Sequence, residues 1–188
     1  MNTEIIIITD VSRSMFGLAN DASAGLDAFI QEQRKTPGEA RVTSVIFAAR
    51  HLLQFAAKPI EEVEKFSLQI GGITAMLDAI GSTLESQGKR IAQEKWADAV
   101  VVVITTDGEE NASREYTVGR IKEMITHAES KGWKFIFMAA NQDAFLSGAA
   151  LGISAQSTRN VAPTGAGVRD SYTYASSMTN LYRANQTI

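Results

Sequence analysis

Residues 5–15 read Ile5-Ile6-Ile7-Ile8-Thr9-Asp10-Val11-Ser12-Arg13-Ser14-Met15. Four consecutive isoleucines without alternation predict a short strand that is buried on both faces. Asp10 then lies where this strand ends, and ligands of open α/β sheets bind at the carboxyl ends of the strands. If the backbone after it turns tightly, Asp10, Ser12 and Ser14 can direct three side-chain oxygens towards one point. Oxygen ligands with one or two carboxylates suit a hard cation such as Mg²⁺.

Two further loops carry residues of the same chemical type. Gly71-Gly72-Ile73-Thr74 precedes a predicted helix, so Thr74 lies at or next to the N-cap, where its hydroxyl can cap the helix or bind a cation. The most hydrophobic predicted strand, residues 99–104, is expected at the sheet centre and is followed by Thr105-Thr106-Asp107-Gly108. An Asp-Gly turn explains Asp107 locally. It does not explain why Asp107 is expected at the same sheet edge as Asp10.

These three pieces, in this order, resemble the metal-ion-dependent adhesion site of von Willebrand factor A (VWA) domains, and the resemblance covers roughly residues 4–155. It implies that Ser12, Ser14 and Thr74 coordinate a cation directly. Asp10 and Asp107 are implied to coordinate it directly or through water and hydrogen bonds. The implied cofactor is Mg²⁺, with Mn²⁺ or Ca²⁺ as alternatives, and a Glu or Asp carboxylate of a partner protein is implied to complete the coordination shell.

Arg13 stands between the two serines, where the family frequently has glycine. Its side chain is expected to point to solvent. The alternative is that it lies at the rim of the site and attracts an acidic partner.

Composition narrows the class of protein. A chain of 188 residues favours one domain with a sizeable core. A hydrophobic content of 45% and a charged content of 21% are typical of a globular protein. The net charge of -3 and the lack of a basic tract argue against nucleic-acid binding. The lack of cysteine excludes disulfides and thiolate metal sites. No signal peptide and no membrane-length apolar run are recognised, so we expect a cytoplasmic protein without a membrane partner.

Hydrophobic periodicity and turn residues predict the order of the elements. Strands are predicted over residues 5–9, 41–47, 51–55, 99–104 and 134–140, with an edge strand over 153–157. Helices are predicted over residues 16–34, 75–94, 114–130 and from Asn141-Gln142-Asp143 to about 151. The strands over 41–47 and 51–55 are expected to form an antiparallel hairpin. This order predicts an α/β fold: a doubly wound, mostly parallel sheet with one antiparallel edge strand and helices on both faces, Rossmann-like as in VWA domains.

The C-terminal part is the least similar to the family. We expect a VWA domain over residues 1–157, with residues 158–188 forming a loop and an amphipathic helix packed on the same domain. The loop is predicted over residues 158–167. The helix is predicted from apolar residues at helical spacing, which are Val168, Tyr172, Ala175, Met178 and Tyr182.

The sequence therefore predicts a protein-binding module rather than an enzyme. Its function would be that of an adaptor or assembly factor that docks an acidic side chain of a partner on bound Mg²⁺. The alternative is a Mg²⁺-dependent phosphotransferase or phosphatase. The haloacid-dehalogenase type needs an acid two positions after the first aspartate, where this chain has Ser12. A receiver-type protein needs an acidic pair where Thr9-Asp10 supplies one acid. A third reading is a scaffold with a vestigial site.

Overall fold

The computed structural model describes residues 1–140 and 143–185. The strands are β1 (Thr3–Asp10), β2 (Ala40–Phe47), β3 (His51–Pro59), β4 (Ala99–Thr106), β5 (Lys134–Ala140) and β6 (Thr158–Val161). The α-helices are α1 (Ala19–Lys35), α2 (Met76–Glu94), α3 (Val118–Ser130), α4 (Ala144–Ala150) and α5 (Gly165–Asn185). The predicted helix start at residues 141–142 lies outside the described residues. Asp143 caps α4 by accepting hydrogen bonds from the amides of Phe145 and Leu146.

The strands form one sheet in the order β3-β2-β1-β4-β5-β6. Neighbouring strands are parallel except for β2 and β3, which form the antiparallel hairpin at one edge. The prediction of a doubly wound, mostly parallel α/β sheet with one antiparallel edge strand and helices on both faces is confirmed. β1 and β4 occupy the centre, as their uninterrupted apolar runs require.

Helices cover both faces of the sheet, so every residue of the isoleucine run is buried. Ile6 and Ile8 pack in the apolar cluster beneath α2, α3 and α4. Ile5 and Ile7 pack in the cluster beneath α1 and α5 on the opposite face. Among the described helices, none is both long enough and apolar enough to cross a membrane.

Two helices begin later than predicted, because backbone turns precede α1 and side-chain contacts hold the residues before α3. Residues 13–15 form a 3-10 turn, and α1 starts at Ala19 rather than near residue 16. α3 starts at Val118 rather than at residue 114. The amides of residues 114–116 donate hydrogen bonds to the Asp78 carboxylate of α2, which draws this segment away from the helix axis.

The predicted edge strand over residues 153–157 is wrong. Ile153 is buried in the cluster beneath α4, and residues 155–157 form a 3-10 turn. The edge strand is β6, which lies inside the segment predicted as a loop and pairs in parallel with β5. Hydrophobic patterning does not predict β6, because its central residues, Arg159 and Asn160, are polar.

The C-terminal helix α5 packs with its predicted apolar stripe against α1 and the sheet. Tyr172 and Ala175 of this stripe are buried. Near the end of α5, the guanidinium of Arg183 is buried and donates hydrogen bonds to the backbone carbonyl of Gln33 and to carbonyls of residues 36–38. Because these carbonyls lie at and just beyond the C-terminus of α1, Arg183 both satisfies them and fixes α5 to α1.

Candidate metal centre

The candidate site lies where the sheet reverses its strand order. From β1 the chain proceeds through α1 to β2 on one side, and β4 is placed on the other side of β1. The loops after β1 and β4 therefore diverge and leave a crevice at their carboxyl ends, the usual ligand position in such sheets. Asp10 is the last residue of β1, and Asp107 follows the last residue of β4.

The glycine-containing loop before α2 is fixed to the loop after β1 by two backbone hydrogen bonds. The Gly71 amide donates to the Val11 carbonyl at 2.8 Å, and the Arg13 amide donates to the Gly72 carbonyl at 3.0 Å. Gly72 has a φ of +90°, and a Cβ at this position would press on Ala48. Glycine is thus needed here for both its backbone conformation and its lack of a side chain.

Hydroxyl groups from the two joined loops converge next to the third loop. The Ser12 Oγ lies 3.0 Å from the Ser14 Oγ, and the Ser14 hydroxyl donates to Asp107 Oδ1 at 2.6 Å. A Cβ added to Gly108 would lie 3.0 Å from Thr74 Oγ1, 3.2 Å from Ser14 Oγ and 3.8 Å from Ser12 Oγ. The three hydroxyls therefore surround one small space, and all five predicted site residues lie at the same sheet edge.

The Thr74 hydroxyl is not used to cap α2. The N-cap residue is Ala75. The first amides of the helix are satisfied from the loop after β4, because Leu77 donates to a Glu110 carboxylate oxygen and Asp78 donates to the Ser113 hydroxyl. The predicted capping role of this hydroxyl is therefore not found.

The two carboxylates are buried close to each other. Asp10 is 1% exposed, and its two oxygens accept hydrogen bonds from the Ser12 amide at 2.7 Å and from the Thr106 hydroxyl at 2.6 Å. Burial raises the pKa of Asp10, and these hydrogen bonds oppose the shift. Burial also raises the pKa of Asp107 to about 6; the hydrogen bond from Ser14 opposes the shift and the charge of Asp10 adds to it. A cation in this crevice would stabilise the ionised form of both groups.

The donor set fits a hard divalent cation. Within the described ranges, no three His, Cys, Asp or Glu side chains are grouped as metal ligands. A cation bound here would therefore take most of its side-chain oxygens from hydroxyls. In an octahedral Mg²⁺ site with bonds of about 2.1 Å, adjacent oxygens lie about 3.0 Å apart. The two serine hydroxyls, which are hydrogen-bonded to each other at 3.0 Å, already have a separation that is compatible with this edge.

Several residues that organise the site were not identified from the sequence. Thr106 holds Asp10, Asn111 accepts the Thr74 amide at 3.0 Å, and Glu110 caps α2. The strand register could have identified Thr106. Thr9 pairs with Thr105 in parallel strands, which places the next residues, Asp10 and Thr106, side by side on one face. No local pattern marks Asn111 or Glu110, whose contacts lie in another loop.

Several solved structures share the fold of this chain over most of its length. Proximal thread matrix protein 1 from the mussel byssus has a TM-score of 0.68 at 15% identity over 95% of this chain and 46% of that chain. The manganese-loaded Plasmodium vivax TRAP protein has a TM-score of 0.62 at 13% identity over 89% and 71%. The ArnB paralog VWA2 from Sulfolobus acidocaldarius has a TM-score of 0.57 at 15% identity over 89% and 43%.

These three proteins contain VWA domains, and the chain therefore has a VWA-like fold. It spans less than half the length of the mussel and Sulfolobus chains. No family model matches the sequence, and no curated protein matches it.

Proposed function

We propose that this chain is a divalent-cation-dependent protein-binding module that acts as an adaptor or assembly factor in the cytoplasm. The observation that carries the proposal is the convergence of the Ser12, Ser14 and Thr74 hydroxyls around one space beside two buried carboxylates. The VWA-like fold supports a protein-interaction role. The manganese bound to the Plasmodium vivax protein supports a divalent cation as the cofactor of this fold.

In this proposal each residue has a defined task. Ser12, Ser14 and Thr74 offer neutral oxygens to Mg²⁺, with Mn²⁺ or Ca²⁺ as alternatives. Asp10 fixes the loop by accepting the Ser12 amide, and Asp107 supplies negative charge next to Ser14. When bound, the cation supplies a positive centre with an open position for a Glu or Asp carboxylate of a partner. Neutral ligands suit this task because they leave the positive charge of the ion largely uncompensated.

The contacts of Asp10 argue against the alternative of aspartyl phosphoryl transfer. Both of its carboxylate oxygens are hydrogen-bonded, one to the Ser12 amide and the other to the Thr106 hydroxyl, and the residue is 1% exposed. A nucleophilic oxygen must reach the incoming phosphorus atom. Ser12 stands at the position where a general acid would be required, and a hydroxyl is a poor acid.

Calorimetric titration with Mg²⁺ and Mn²⁺ tests the cation site. We expect saturable binding to the wild-type chain and none to Asp10→Ala, because that change releases the Ser12 amide and removes one of the two carboxylates. The fold should survive, since the strand core lies below the site. Asp170→Ala, which removes an exposed carboxylate of α5, is the matched control and should bind as the wild type does. Unchanged cation affinity in Asp10→Ala would contradict the site assignment.

A further inference from the structure

Two large apolar side chains are exposed on the loops that form the candidate metal centre. Phe16 is 84% exposed and follows Ser14 by two positions, and Ile73 is 56% exposed and directly precedes Thr74. We call these two side chains the apolar rim. Exposed apolar side chains of this size at a binding site are typical of contact surfaces for another protein.

Phe16 is held outward by the backbone. Its φ and ψ of -60° and 124° and the φ of +90° at Gly17 are those of a type II turn, which the Leu18 amide closes by donating to the Met15 carbonyl at 2.9 Å. Met15 is buried below the turn. The ring therefore stays in water at a fixed position instead of folding into the core.

Ile73 is held on an equally constrained segment. The carbonyl of Gly72, just before it, accepts the Arg13 amide, and the amide of Thr74, just after it, donates to Asn111. The backbones of Arg13 and Gly72 are hydrogen-bonded to each other. Both members of the apolar rim therefore lie on loops that are held together beside the three hydroxyls. A partner held at the centre would meet a preformed surface, which lowers the entropy lost on binding.

The charges beside the apolar rim favour an acidic partner. Arg13 is exposed between the two serines, and the exposed Arg50 lies in the turn whose Ala48 and Ala49 are nearest to Gly72. Glu109 is an exposed acid in the loop after β4, two positions beyond Asp107. A second copy of this chain fits poorly, since a two-fold contact through this surface would bring Arg13 near its own equivalent.

We infer that the partner of this centre is a protein segment in which an acidic residue has a large apolar residue within two positions of it. The carboxylate would occupy the metal centre while the apolar side chain packs on Phe16 and Ile73. This inference rests on the proposed function and specifies the chemistry of the partner.

A phage library of disulfide-closed random heptapeptides tests the inference. The library is bound to the full chain in Mg²⁺ and eluted with EDTA. We expect the eluted pool to be enriched in Asp or Glu next to Phe, Leu, Ile, Met or Trp. The double variant Phe16→Ser/Ile73→Ser should select acidic residues without the apolar neighbour. It should bind the best wild-type peptide about tenfold more weakly or worse, as when a buried aromatic anchor is truncated.

Leu181→Ser is the matched control. Leu181 is 54% exposed, close to the value for Ile73. It lies two residues before Arg183, which donates to the Gly38 carbonyl just before β2. This places Leu181 near the opposite end of the strands from the candidate site. This variant should select and bind peptides as the wild type does. Thermal unfolding of all variants checks that they remain folded.

The alternative outcomes separate this inference from the function on which it rests. Enrichment of acidic residues without apolar neighbours on the wild type would overturn the inference and leave the proposed function standing. Apolar peptides that EDTA does not elute would overturn the link between the rim and the cation. No enrichment would overturn the inference together with the proposed function. A Mg²⁺-dependent dimer in light scattering, lost in Phe16→Ser, would identify a second copy of the chain as the occupant and overturn the choice of partner.

Discussion

Gly108→Ala is expected to damage the candidate metal centre without unfolding the protein. The φ of Gly108 lies outside the left-handed region, so alanine fits the backbone. The added Cβ would lie 3.0 Å from Thr74 Oγ1 and 3.2 Å from Ser14 Oγ, whereas ordinary contacts of a Cβ begin at 3.4 Å. The two oxygens must therefore retreat by about 0.4 and 0.2 Å, or the methyl group must occupy the space between them.

A shift of this size matters for Mg²⁺, whose bonds of about 2.0–2.1 Å require near-ideal octahedral geometry. We expect the dissociation constant for Mg²⁺ to rise at least about tenfold, which corresponds to about 1.4 kcal/mol. Ca²⁺ accepts longer and less regular bonds, so its affinity should fall less. In EDTA the free energy of unfolding should change by only about 1 kcal/mol, because the hydroxyl side chains can rotate away from the methyl group.

Isothermal titration calorimetry with each cation and thermal unfolding in EDTA measure these effects. Gly71→Ala is the matched control, since it adds a methyl group in the loop before α2, with no atom within 4 Å of the new Cβ. That variant should bind cations with wild-type affinity. If Gly108→Ala were folded and bound Mg²⁺ as the wild type does, the three hydroxyls would not be the ligands of the ion.

Two further predictions concern protonation and helix packing. The pKa of Asp107 is raised from its usual 3.8 to about 6, so between these pH values the folded chain holds a proton that the unfolded chain has released. In EDTA the free energy of unfolding, measured with urea, should therefore fall as the pH rises through this window. The Mg²⁺ affinity, measured by calorimetry, should rise over the same window. If neither quantity changed with pH, the burial of this carboxylate would be contradicted. Gly25→Ala should lower the free energy of unfolding by about 2 kcal/mol, because the new methyl group would overlap the buried ring of Tyr172. Gly88→Ala, a helical position of α2 with open space around it, should raise the free energy of unfolding by about 1 kcal/mol, and equal effects of the two changes would contradict the tight contact between α1 and α5.

The central strands were predictable because their patterns are local. The isoleucines of β1 and the valines of β4 form uninterrupted apolar runs, which only a strand covered on both faces accommodates at this length. β6 was missed because its central residues, Arg159 and Asn160, are polar and exposed, and only pairing with β5 makes it a strand. The start of α3 was missed because Asp78, 36 residues before Arg114 in the chain, binds the amides that would begin the helix.

The candidate site was likewise predictable where its features are local in sequence, and not where they depend on contacts between loops. The residue types of Asp10, Ser12 and Ser14, and their position after a buried strand, were readable without coordinates. Their relation to Thr74 and Asp107 was an expectation that rested on the order of the loops. The structure brings these side chains to one edge through the β1–β4 register and through hydrogen bonds between loops.

The sequence by itself determined the apolar runs, their ends and the kind of atom offered there, because these depend on residue type and spacing along the chain. Only the tertiary structure decided that the three hydroxyls surround one space, that Asp107 is buried beside Asp10, and that Phe16 and Ile73 are both exposed on loops of the candidate site. These properties are distances between segments far apart in the chain, and exposures that depend on how those segments pack. They follow from strand register and from contacts between loops, neither of which any single stretch of sequence contains.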